Sequence, residues 1–88
     1  MAETQEQVEC AIREAARKQG INLMLPENAF LLAKNTPQGW LLVAFSDMGA
    51  AFAQGGLRAR QGNTEVYVLN SANGGITGFK PDGQPDWQ

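Results

Sequence analysis

Five carboxylates outside the first helical segment, Glu27, Asp47, Glu65, Asp82 and Asp86, are the residues that loops could gather for general acid–base work. Their spacing matches no metal loop: Asp82 and Asp86 flank a Gly-Gln-Pro stretch without further oxygen ligands, and Pro81-Asp82-Gly83 reads as a turn. Histidine is absent and Cys10 is the single thiol, which removes Ser-His-Asp and Cys-His catalysis, imidazole proton shuttles and imidazole-liganded zinc. On a helix Cys10 points away from the apolar stripe, near Arg13, Glu14 and Arg17. The arginines would favour a thiolate, the glutamates oppose it, and no base supports it. Neither a G-x-G-x-x-G run nor a Walker loop with its lysine occurs, so Gly55, Gly56, Gly74 and Gly75 read as turn residues. No catalytic, metal or cofactor site is expected, and the chain reads as a non-enzyme.

Binding leaves more candidates. Arg58 and Arg60 alternate along a segment read as extended, where both would share a face and could clamp an acidic partner surface or guard a sheet edge. Trp87, on a Pro-flanked tail, either packs on its own sheet or anchors in another chain, and completes a candidate interaction surface with the two arginines. Met24, Met48 and Phe52 could line a small-ligand pocket between the first helix, the sheet and the 47–56 loop.

These residues must be positioned by one modest core. The chain has 88 residues, 43% of them hydrophobic and 18% charged, which is globular rather than disordered composition. A single α+β domain over 1–88 is expected, with a helix at 4–19, a sheet region at 21–80 and a tail at 81–88. The net charge of −2 supplies no surplus of Lys and Arg for nucleic acid. The longest apolar run, Trp40 to Phe45, is far short of a membrane span, and nothing in the cysteine pattern points to secretion, so a soluble cytoplasmic protein is expected.

Thr4 and Gln7 form a capping-box pattern ahead of a helical stripe, Val8, Ala11, Ile12, Ala15, Ala16 and Gln19, that ends at Gly20. The pairs Glu9 with Arg13 and Glu14 with Lys18 have the favourable order. Ala29 to Lys34 and Trp40 to Ser46 read as a hairpin around Pro37 and Gly39. Trp40 to Phe45 is apolar on both alternating faces, which suggests a central strand covered on both sides, one cover being the helix and the other residues 47–56 or a second subunit. Asp47 could cap a short helix reaching Gly55, while Leu57 to Arg60, Thr64 to Asn70 and Ile76 to Lys80 read as strands. The expectation is an N-terminal amphipathic helix on an antiparallel sheet of about four to five strands, with a second short helix near 47–55.

Locally, Val66 to Gln84, VYVLNSANGGITGFKPDGQ, resembles the hairpin of one NHL-type propeller blade. A propeller needs several blades and the sequence holds no second copy, so the resemblance implies hairpin design alone. The functional expectation is an interaction module, homodimeric and binding an unidentified protein partner, such as an accessory or inhibitor protein of a phage or mobile element. A small-ligand binder is the alternative.

Overall fold

The computed structural model describes residues 4–85. Helix α1 spans Gln5–Lys18 and opens as its sequence requires. The Gln7 amide donates to Thr4 Oγ1 at 3.2 Å, and the Thr4 amide to Gln7 Oε1 at 2.9 Å, so two otherwise unpaired groups are satisfied reciprocally. At the other end Gly20 takes a φ of +77°. The Ile21 amide then reaches the Ala16 carbonyl at 2.9 Å and the Gly20 amide the Arg17 carbonyl at 3.2 Å, a left-handed stop that folds Ile21 back onto the core. Glu9 pairs with Arg13 at 2.9 Å, whereas Glu14 pairs with Arg17 rather than with Lys18. Thr4→Ala is expected to lower stability by about 1 kcal/mol, measured by urea denaturation, because it removes the side-chain oxygen that caps the Gln7 amide.

The remaining elements are β1 (Phe30–Thr36), β2 (Gly39–Phe45), α2 (Met48–Gly62), β3 (Val66–Asn70) and β4 (Ile76–Phe79), with one short 3-10 turn at Pro26–Asn28. All strand pairs are antiparallel and the sheet order is β2-β1-β3-β4. The chain thus runs as two helix–hairpin units whose first strands meet at the centre of one sheet.

Alternation on the strands builds two cores. Leu31, Ala33, Leu69 and Ile76 face α1 and close over Val8, Ile12 and Ala16. Leu32, Val66, Val68 and Phe79 face the other way, against Ala51 and Ala59 of α2. The sheet is therefore covered on both sides within one chain.

Helix α2 overturns the expectation of a short helix at 47–55 followed by a strand at 57–60. It is one helix of 15 residues, capped by Asp47 Oδ2, which accepts from the Ala50 amide at 2.8 Å, and ended by Asn63 at φ +49°. Gly55 and Gly56 are not turn residues but lie inside it. Each glycine weakens a helix by about 1 kcal/mol relative to alanine, yet the fully buried stripe Ala51, Gly55 and Ala59 lets this helix sit close enough to the sheet for packing to prevail. A Cβ on Gly55 would stand 2.8 Å from the Phe79 ring and 3.2 Å from Val68 Cγ2.

Candidate functional site: the open edge of the sheet

A four-stranded sheet has two edges, and here they differ. Beyond β4 the chain turns at Pro81-Asp82-Gly83 and comes back: Pro85 bridges to Phe79, and the Lys80 amide donates to the Gln84 carbonyl at 2.9 Å. Pro85, which has no amide to donate to a ladder, caps the C-terminal end of that edge beside Phe79. Asp82 holds the turn through Oδ1, which accepts from the Gln84 amide at 2.9 Å.

Among the described residues no strand neighbours β2 on its outer edge. Trp40–Phe45 was expected at the centre of the sheet and lies at its margin instead. Apolar residues on both faces report the two helices that cover the sheet, not the strand's place within it.

The direction of the β2 backbone groups follows from the register. The Ala29 carbonyl accepts from Ser71 on the β3 side, so by alternation Leu31 and Ala33 turn their backbone groups to β3, while Phe30, Leu32 and Lys34 turn theirs to β2. Their partners Phe45, Val43 and Leu41 point inward, leaving the amides and carbonyls of Trp40, Leu42 and Ala44 turned outward. Gln19, the C-cap of α1, confirms this phase: its Nε2 donates to the Trp40 carbonyl at 2.8 Å.

The flanks of this edge differ. On the α2 face Leu41 is 50% exposed. On the α1 face a groove of about 440 Å³ is mixed, with Ala11, Ala15 and Trp40 beside Glu14, Lys18, Gln19 and Gln38, the indole being fixed by tilted packing on Tyr67 with ring centroids 6.1 Å apart. Residues 39–46 contain no charge. Natural edge strands are usually blunted by lysine, proline or a bulge, and Gln19 is the one side chain among the described residues seen to hold an outward group of β2.

The residues singled out from sequence fall elsewhere. Arg58 and Arg60 sit on α2, where two positions are about 200° apart, so they do not share a face and form no clamp. Arg60 packs its stem beside Gly83. Trp87 and Asp86 lie outside the described residues. Met48 and Phe52 do line one cavity, of about 170 Å³, with Phe30, Val68 and Asn70. Met24 is 90% exposed and lines a separate shallow cavity with Leu23, Leu25 and Pro26. Cys10 is an exposed free thiol.

Comparison with family models, with curated proteins and with solved structures finds no match.

Electrostatics adds one local feature. Arg17 donates a hydrogen bond to Glu14 and sets its charge beside it, which together hold the Glu14 carboxyl below its ordinary range. A carboxylate depressed in the folded state contributes above its unfolded pKa and loses that contribution as pH falls through the folded one. Both groups are exposed, so this is a surface pair with little leverage on the fold. Arg17→Ala is expected to raise the Glu14 titration midpoint toward the ordinary carboxylate value, read from its side-chain carboxyl chemical shift. No helix among the described residues is long and apolar enough to cross a membrane.

Proposed function

We propose that the chain is a non-enzymatic protein-interaction module whose working surface is the β2 edge, which accepts a partner's β-strand. One observation carries the reading. Seven residues without a charge form an edge that no strand among the described residues covers, while at the opposite edge the C-terminal end of β4 is capped by the chain's own residues 84–85. Backbone groups turned outward at Leu42 and Ala44 supply affinity to an added strand, and the half-exposed Leu41 and the Trp40 indole supply side-chain contacts on its two faces.

The chemistry available elsewhere supports the same reading. Buried side chains among the described residues are all apolar, and the shifted titrations belong to the exposed Glu14 and Arg17. The cavity beneath Met48 and Phe52, at about 170 Å³, falls short of the roughly 300 Å³ at which small-molecule sites begin.

The test uses Leu41→Lys with Ala44→Lys, two exposed positions on opposite faces of the edge. The tagged wild type and the double variant are compared for capture of an untagged copy and of proteins from a host extract, with circular dichroism as the check on folding. Capture by the wild type that disappears in the folded variant is expected. Equal capture by both, or none by either, overturns the reading.

A further inference from the structure

Resting on that reading, we propose that the strand received at the edge is β2 of a second copy, paired antiparallel about a two-fold axis through Val43. The phase of the edge restricts how such a pair joins, and the Gln19 bond on the Trp40 carbonyl disfavours an axis at Leu42, which would need that carbonyl. With Val43 opposite Val43 of the second copy, Leu42 faces Ala44 and Ala44 faces Leu42, and these are the residues whose amides and carbonyls point outward. Each backbone group meets a donor or acceptor of the opposite kind.

The side chains agree with this register. On the α2 face Leu41 of one copy lies beside Phe45 of the other, which covers the half-exposed leucine. On the α1 face the larger Leu42 meets the small Ala44. No charge within residues 39–46 opposes its own image across the axis. The Trp40 carbonyl lies outside the paired core of the strand, so Gln19 keeps its hydrogen bond and limits how far the pairing extends.

Symmetry decides the form of the assembly. A two-fold β2–β2 pair uses the same strand of both copies and so closes on itself, edge to edge, as a dimer with a continuous sheet, while Pro85 and the Lys80–Gln84 hydrogen bond cap the C-terminal end of β4.

A cysteine scan in a Cys10→Ser background tests the register, because an opposed non-hydrogen-bonded pair brings Cα atoms to about 4.5 Å, within the range a disulfide spans. Under mild oxidation Val43→Cys is expected to form a covalent dimer by itself. Leu41→Cys and Phe45→Cys are expected to cross-link only when mixed. Light scattering of the wild type over a dilution series should approach twice the chain mass of 9.5 kDa. A mass of one chain at every concentration overturns the proposal. So does a dimer in which Val43→Cys stays uncross-linked, since the contact then lies in another register or on another surface. A monomeric wild type that still captures host proteins through the edge would sink the second copy and leave the strand-accepting module standing.

Discussion

Leu31→Ala and Leu32→Ala, made separately, are each expected to lower the free energy of unfolding by about 2–5 kcal/mol. The two residues are neighbours on β1, so their side chains leave opposite faces of the sheet. Leu31 is fully buried against Val8 and Ile12 of α1, and Leu32 is 1% exposed on the α2 side, among Val68 and Phe79. In a sheet with one wet face, one of the pair would be nearly neutral. Here each truncation leaves a cavity under a helix. Against a total of roughly 4–13 kcal/mol for a chain of this length, either truncation removes a large share of the stability. Urea denaturation at constant m-value measures both, and a neutral result at either position would mean that its helix does not cover the sheet in solution.

The first helix was legible because every local signal agreed: capping box, apolar stripe, terminal glycine and charge order all describe Gln5–Lys18. The hairpin of β1 and β2 was legible for the same reason, with Pro37 and Gln38 as its turn. The second helix was not, because its local and global signals conflict. Gly55-Gly56 looks like a helix stop, and Leu57-Arg58-Ala59-Arg60 alternates like a strand, while the decisive spacing is the small-residue stripe Ala51, Gly55, Ala59, visible only once a sheet is there to receive it. The candidate site suffered from that error directly, since the apparent shared face of Arg58 and Arg60 existed only on a strand. The edge was hidden for another reason. Apolarity on both faces of Trp40–Phe45 correctly demanded two covers, but sheet order is a long-range property that no period-two pattern encodes. Gln19, polar within an apolar stripe, was the one local hint of an unpaired carbonyl nearby.

Gly55→Ala is expected to destabilise the protein by about 1 kcal/mol and Gly55→Leu by about 3 kcal/mol, although both substitutions improve intrinsic helix propensity by up to ~1 kcal/mol. The reason is the 2.8 Å at which an added Cβ would meet Phe79 Cε2. The ring has little room to retreat, because it is 5% exposed and stands edge-on to Phe52 with centroids 5.8 Å apart. Phe79→Leu should relieve part of the clash, so the double variant Gly55→Ala, Phe79→Leu is expected to cost less than the sum of the two single changes, a non-additivity that denaturation curves resolve. Phe79 also bridges to Pro85, and the Gly56 carbonyl sits close to Gly83 in the same turn. Displacing the ring therefore loosens the segment that caps the end of β4. On the proposed β2 pairing, a chain uncapped there would offer a second edge to further strands. Gly55→Leu should accordingly show mass growth beyond a dimer, followed by light scattering over time, under conditions where the wild type reaches a plateau. Growth that stops at the wild-type mass would separate the packing role of Gly55 from the capping of β4.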